Sequence, residues 1–126
     1  MTIKRTIYFL FVLLGCSTVS QEPIEIINAE KLISLKGRGV TVIDIRTPNE
    51  YENGHIPGVI HLDFMQSGFL DKIKEQKLNE PVIIHCASGG RSGKAAKMMK
   101  EAGFKKIYDY SGGFSDWKKK GLEIEQ

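Results

Sequence analysis

Residues 82–92 read VIIHCASGGRS and contain a strand, a glycine-rich loop and the start of a helix. The segment VIIH is apolar and largely β-branched, which is typical of a strand buried inside a parallel sheet. The loop CASGGR follows it, and a helical pattern then runs from Ser92 to Ala102 with Ala95 and Met99 on its apolar face. This order predicts a β-strand, a short loop and an α-helix of a parallel α/β sheet.

The same alternation continues on both sides of this segment. Further strand-like or short apolar runs occur at residues 24–27, 40–45, 59–62 and 107–110. Helical patterns are expected at residues 29–36, 48–52, 67–77 and 114–119. Alternating strands and helices predict one α/β domain over residues 24–126, with a parallel central sheet of about five strands and helices on both faces.

Composition excludes several classes of protein. The chain has 126 residues, of which 26% are charged and 41% hydrophobic, as in ordinary globular domains. Its net charge is +3, and without Lys4 and Arg5 the excess of basic residues falls to one, so nothing predicts nucleic-acid binding. Two cysteines are too few for a disulfide-stabilised miniprotein.

The first fifteen residues have the layout of a secretory signal peptide. Lys4 and Arg5 precede an apolar run at 7–14, far shorter than the roughly 20 residues of a spanning helix. The following LLGC at 13–16 resembles a bacterial lipoprotein signal, which implies cleavage before Cys16 and lipidation of that cysteine. The alternative is an uncleaved N-terminal helix. We therefore expect residues 1–15 to be removed, residues 16–23 to be the lipidated cysteine and a tether, and the domain to be membrane-anchored outside the cytoplasm, on the periplasmic side.

Cys86 lies directly after its predicted strand, at the sheet edge where open α/β folds bind ligands. Gly89 and Gly90 allow the backbone to aim several N–H groups inward beside a helix N-terminus, which makes an anion site. Such a site favours the thiolate, so the pKa of Cys86 is expected below about 8.5. An inert buried cysteine is the alternative, but the continuation into Arg91 and Ser92 favours a nucleophile.

Four segments in this order resemble the rhodanese family of sulfurtransferases, in its single-domain form. They are DIRTPNEY at 44–51, GHIPGVI at 54–60, CASGGRS at 86–92 and YSGGFSDW at 110–117. The resemblance implies a rhodanese-like fold over residues 24–126 and transfer of sulfane sulfur through a cysteine persulfide. Sulfur would come from a donor such as thiosulfate or a persulfide and pass to a thiol or cyanide.

The resemblance also implies roles for the loop residues. Cys86 would be the nucleophile and sulfur carrier, and Arg91 would hold the anionic end of the donor. The implied substrate-binding set is Ala87, Ser88, Gly89, Gly90, Arg91 and Ser92.

Two alternatives to such an enzyme remain. A sulfur-carrier or partner-binding module with low turnover would use the same loop. A phosphatase or arsenate reductase is weaker, because four residues separate Cys86 from Arg91 where the related phosphatase signature has five. No aspartic general acid follows the loop either.

The remaining polar residues are expected to be structural. Asp44 and Arg46 could reach the loop, but an ion pair that fixes the following turn is favoured. His55 is interpreted as a hydrogen-bonded structural residue, and His85 should point away from Cys86 if it belongs to the strand. The histidines and Cys86 have no metal-ligand spacing, so we expect no metal and no cofactor.

Overall fold

The computed structural model describes residues 22–126. The expected signal peptide at 1–15, the lipidation site Cys16 and most of the tether at 16–23 lie outside the described residues. The strands are β1 (Ile24–Ile26), β2 (Thr41–Asp44), β3 (Ile60–His61), β4 (Val82–His85) and β5 (Ile107–Asp109). The helices are α1 (Ala29–Gly37), α2 (Pro48–Glu52), α3 (Phe69–Lys74), α4 (Gly90–Glu101) and α5 (Gly113–Lys119). Within this part of the chain, no helix has the length and apolar character needed to cross a membrane.

The strands form a single parallel sheet in the order β1-β5-β4-β2-β3. The predicted α/β class and the five-stranded parallel sheet are confirmed. Strand β4 is central, and all four of its residues are buried. Cys86 therefore leaves the sheet at the middle of its carboxyl edge, with neighbouring strands on both sides.

Helices cover both faces of the sheet, as the sequence predicts. One apolar cluster joins Ile84 and Cys86 to Ile73 of α3 and Met99 of α4. The other cluster, on the opposite face, joins Ile83 to Leu32 of α1 and Trp117 of α5. Successive residues of β4 thus point into different clusters, because side chains alternate along a strand.

Helix boundaries differ from prediction around two glycines. Helix α4 begins at Gly90 rather than Ser92. Of the two adjacent glycines, Gly89 adopts the left-handed conformation, with φ of 98°, and Gly90 is already helical. Helix α3 covers only residues 69–74 of the predicted 67–77, since Gly68 before it has φ of 84°. Helix α1 begins at Ala29 as predicted, and Asn28 caps it, since Asn28 Oδ1 accepts the Lys31 amide at 2.9 Å.

Asp44 and Arg46 form the buried ion pair that the sequence favours. Arg46 Nη2 lies 2.7 Å from Asp44 Oδ2, and Arg46 Nε donates to both carboxylate oxygens at 3.0 and 3.1 Å. Arg46 also donates to the carbonyls of Glu50 and Gly54, at 3.3 and 2.8 Å. Its guanidinium lies 4.1 Å from the centre of the Phe114 ring. The pair therefore fixes the turn that leads from β2 into α2.

Replacing Asp44 with Ala should destabilise the fold by about 3–5 kcal/mol, because it leaves the charge of Arg46 buried without a partner. Arg46 is only 3% exposed. Urea unfolding of the purified protein measures the change. The control is Lys77→Ala, since the Lys77–Glu80 pair is exposed and its loss should have little effect. An Asp44→Ala protein with the stability of the control would contradict this account.

Candidate active site

The loop after β4 curls around the sulfur of Cys86. The Gly89 amide donates to Sγ at 3.1 Å and the Ser92 amide donates at 3.4 Å. Ser92 Oγ lies 3.7 Å from Sγ. The curl needs glycine at position 89, since its φ is 98° and an added Cβ would lie 2.6 Å from the Ser111 carbonyl oxygen.

These hydrogen bonds control the protonation of the thiol. Burial raises the pKa of Cys86, but the amide and hydroxyl of Ser92 lower it, and the amides of Gly89 and Ser88 lower it further. The hydrogen bonds outweigh burial, so the pKa of Cys86 lies below its ordinary value. The thiolate is therefore present at pH values where an ordinary thiol is still protonated, as the sequence predicts.

Carbonyl groups of the same loop point the other way, toward the start of α5. The Phe114 amide donates to the Cys86 carbonyl at 2.9 Å, and the Ser115 amide donates to the Ala87 carbonyl at 3.0 Å. Gly113 makes this contact possible, because its φ is 65° and an added Cβ would lie 2.5 Å from both carbonyl oxygens. With these two carbonyls bound to α5, the amides of Ala87 and Ser88, which belong to the same peptide units, face the other way.

His85 binds the backbone of this loop and does not contact the sulfur. Its Nδ1 donates to the Cys86 carbonyl at 3.0 Å, and its ring packs edge-on against Tyr110 on the opposite face of the sheet. Burial lowers the pKa of His85 more than the nearby Asp44 carboxylate raises it. A neutral ring turned away from Sγ is a structural group, in agreement with prediction.

Arg91, the residue expected to hold the anionic end of the donor, is paired with a carboxylate. Its Nη1 and Nη2 donate to the two carboxylate oxygens of Glu50, at 2.7 and 2.9 Å. Hydrogen bonds from Arg91 are the main cause that lowers the pKa of Glu50 to about 2, so the pair is ionised throughout the neutral range. Glu50 is not among the predicted site residues, because only the fold brings it to Arg91.

The predicted loop residues occupy different positions around the sulfur. Gly89 and Ser92 contact it, and the amide of Ser88 helps to lower its pKa. Ala87 faces α5 through its carbonyl, while Gly90 is exposed at the start of α4.

The three histidines are not grouped around a metal site. Tyr51 stacks between His55 and His61, with distances of 3.9 and 4.3 Å between the ring centres. His55 Nδ1 donates to the Tyr51 carbonyl at 3.0 Å, in the structural role expected of it. Among residues 22–126 no group of three His, Cys, Asp or Glu side chains could hold a metal ion.

Several known proteins are similar to this chain in sequence or in fold. A family model described as the rhodanese-like domain matches residues 28–120. The thiosulfate sulfurtransferase GlpE of Pseudomonas entomophila is 36% identical over 92 residues, which cover 73% of this chain and 83% of that protein. The putative sulfur carrier protein YrkF of Bacillus subtilis is 40% identical over 79 residues, which cover 62% of this chain and 41% of that protein. A rhodanese-related crystal structure from Thermoplasma volcanium aligns with a TM-score of 0.69 at 29% identity, covering 79% of this chain and 95% of that one.

The cysteine loop lies on the carboxyl edge of a parallel sheet, and the similar proteins include thiosulfate sulfurtransferases. Together these findings identify a rhodanese-type sulfurtransferase. The chain belongs to the rhodanese-like domain family, as the four sequence segments suggest.

Replacing Ser92 with Ala should raise the pKa of Cys86, because one hydrogen bond to the thiolate is lost. The rate of iodoacetamide alkylation at Cys86, followed by peptide mass spectrometry against pH, measures that pKa. The pH at which the alkylation rate of Cys86 is half-maximal should be lower for the folded wild-type protein than for the urea-denatured protein. Ser115→Ala is the control, since it removes an exposed hydroxyl and keeps the amide that binds Ala87. Equal midpoints in the two variants would exclude a role for the Ser92 hydroxyl.

Proposed function

We propose that this chain transfers sulfane sulfur through a persulfide on Cys86. The observation that carries the proposal is the pair of amides, from Gly89 and Ser92, directed at Sγ. They favour a thiolate nucleophile before transfer, and the same inward-facing dipoles can stabilise the negative charge of a persulfide. Backbone dipoles perform this activation, so no histidine base is needed.

The transfer consists of two half-reactions. The Cys86 thiolate attacks the outer sulfur of thiosulfate, forming a new S–S bond to the cysteine while the old S–S bond breaks. Sulfite leaves with the bonding electron pair, and the enzyme holds Cys86–S–S⁻. A thiolate or cyanide then attacks the outer sulfur of the persulfide, and the cysteine leaves as a thiolate. Atoms, electrons and charge balance in each step.

Burial of the nucleophile limits how a donor can approach. Cys86 is 1% exposed and lies at the base of the loop. A donor must therefore present its terminal sulfur end-on. The adjacent Ala87 and Ser88 have small side chains, which leaves room for the rest of the donor outside.

A sulfur carrier with low turnover is the second candidate. The same burial that favours an end-on donor would shield a bound sulfur from most small acceptors. The similarity to a protein named as a putative sulfur carrier supports this candidate. In that case sulfur would pass quickly only to a dedicated partner protein.

We further propose that the protein is a lipoprotein anchored outside the cytoplasm, on the periplasmic side of a bacterial membrane. The support is the sequence LLGC at 13–16, preceded by an apolar run at 7–14 and by Lys4 and Arg5. Lipid on Cys16 would leave Cys86 as the single free thiol of the mature chain.

Replacing Cys86 with Ser should abolish sulfur transfer and change the melting temperature little. Thiocyanate formation from thiosulfate and cyanide measures the activity. Mass spectrometry of the wild-type protein after thiosulfate alone should find one added sulfur atom on Cys86. Cys16→Ser is the matched control, and it should keep full activity because Cys16 precedes the folded domain. Absence of a Cys86 persulfide with every sulfane donor tried, in a folded protein, would overturn the proposed function.

The lipid anchor predicts that the full chain, expressed in a bacterium, incorporates a labelled fatty acid and sediments with membranes. Cys16→Ser should remove both properties, since it deletes the acylated group. Gel autoradiography and fractionation measure them, with Cys86→Ser as the control that retains both. A wild-type chain without label, of full unprocessed mass, would exclude lipidation.

A further inference from the structure

The guanidinium that would attract an anionic donor is already occupied. Glu50 binds both terminal nitrogens of Arg91 in a bidentate pair, although 41 positions separate the two residues. Arg91 and Glu50 are 25% and 33% exposed, so solvent still reaches this ion pair beside the loop. A donor that approaches Arg91 therefore meets a carboxylate at the same place.

Glu50 is held rigidly by its own helix terminus. Its Oε1 accepts the Thr47 amide at 3.2 Å and the Thr47 hydroxyl at 3.0 Å, while the Glu50 amide donates to Thr47 Oγ1 at 3.3 Å. This capping box fixes the side chain before any substrate binds. Arg46 supports the same turn by donating to the Glu50 carbonyl at 3.3 Å. The pair is therefore preorganised, unlike a mobile surface ion pair.

The charges around the sulfur do not favour a doubly charged donor. The Cys86 thiolate, Glu50 and Arg91 together carry one net negative charge. The hydrogen bonds that Arg91 donates to Glu50 are the main cause that raises the pKa of Arg91, and the Cys86 thiolate raises it too, so the sulfur and the ion pair interact. Amides of the loop are directed at the thiolate and compensate that charge locally. Glu50 cancels the positive charge of Arg91, so the ion pair gives an incoming dianion no net attraction, whereas an unpaired Arg91 would attract it.

We propose that Glu50 is a specificity-determining residue that disfavours dianionic sulfane donors relative to singly charged or neutral ones. The inference rests on the proposed persulfide chemistry at Cys86. It assigns Glu50 a role in donor choice, through the charge it adds beside Arg91. The favoured donor class is a persulfide, polysulfide or thiosulfonate with at most one negative charge at its reacting end.

Two small donors differ in net charge but transfer sulfur by the same reaction. Thiosulfate is a dianion and loses sulfite, whereas methanethiosulfonate is a monoanion that presents the same terminal sulfur and loses methanesulfinate. In both cases the thiolate of Cys86 attacks the terminal sulfur, the donor's S–S bond breaks, and the leaving group takes the electron pair. With cyanide as common acceptor, kcat/KM for the donor reports the first half-reaction.

The test compares Glu50→Gln with Glu52→Gln in the full chain. Both variants lose one negative charge from α2, but Glu52 is exposed and outside the Arg91 pair. Glu50→Gln should raise kcat/KM for thiosulfate about three- to tenfold and raise that for methanethiosulfonate less, because a dianion feels twice the repulsion. Glu52→Gln should leave the ratio of the two donors at its wild-type value.

Ionic strength tests the wild-type protein without any substitution. Between about 10 mM and about 0.5 M KCl, the preference for methanethiosulfonate over thiosulfate should shrink, since salt screens the repulsion by Glu50. In Glu50→Gln the preference should depend little on salt. A purely structural role of Glu50 would lower both donors' rates together and leave the salt dependence unchanged.

Failure of this inference is distinguishable from failure of the proposed function. If both donors place sulfur on Cys86 but Glu50→Gln and Glu52→Gln keep the same donor ratio, the role of Glu50 is overturned and sulfur transfer stands. The role of Glu50 is also overturned if the wild-type preference for methanethiosulfonate increases with salt. Salt would then be weakening an attraction between the site and dianionic thiosulfate. If neither donor forms a Cys86 persulfide, the proposed function itself fails.

Discussion

The site depends on the contact between the carbonyls of Cys86 and Ala87 and the first amides of α5. A peptide unit has its N–H and C=O on opposite sides, so binding these two carbonyls outward turns the amides of Ala87 and Ser88 the other way, and the Ser88 amide helps to lower the pKa of Cys86. His85 adds a second donor to the Cys86 carbonyl and fixes the junction between strand and loop. Gly113 is required for this contact because a side chain would collide with both carbonyls.

Positive charge near the sulfur is supplied mainly by oriented backbone and only secondarily by side chains. Arg46 is neutralised by Asp44 within the fold, and Arg91 is paired with Glu50 at its surface. Both pairs include residues of the stretch 44–52, from the end of β2 to the end of α2, where Arg46 also donates to the Glu50 carbonyl. That segment therefore both supports the turn beside the loop and sets the charge that a donor meets there.

Much of the fold follows from local sequence patterns. The β-branched run before Cys86 forms the central strand, and Asn28 caps α1, because burial of an apolar strand and capping by a polar side chain are short-range effects. Boundaries near Gly68 and Gly89 are less predictable. A glycine permits a positive φ without requiring it, and the approach of the Ser111 carbonyl to Gly89, which leaves no room for a Cβ, is a tertiary contact.

By itself, the sequence determined the parallel α/β class and the placement of Cys86 at a strand end before a glycine-rich loop, since both follow from residues close together in the chain. Tertiary structure decided the partner of Arg91, the anchoring of the loop by α5 and the stacking of Tyr51 between His55 and His61. The capping-box pattern from Thr47 to Glu50 predicts a helix start, but a side chain 41 positions away is brought to Glu50 only when β2 and β4 pair. Such contacts depend on the order of strands in the sheet, and local patterns carry little information about that order.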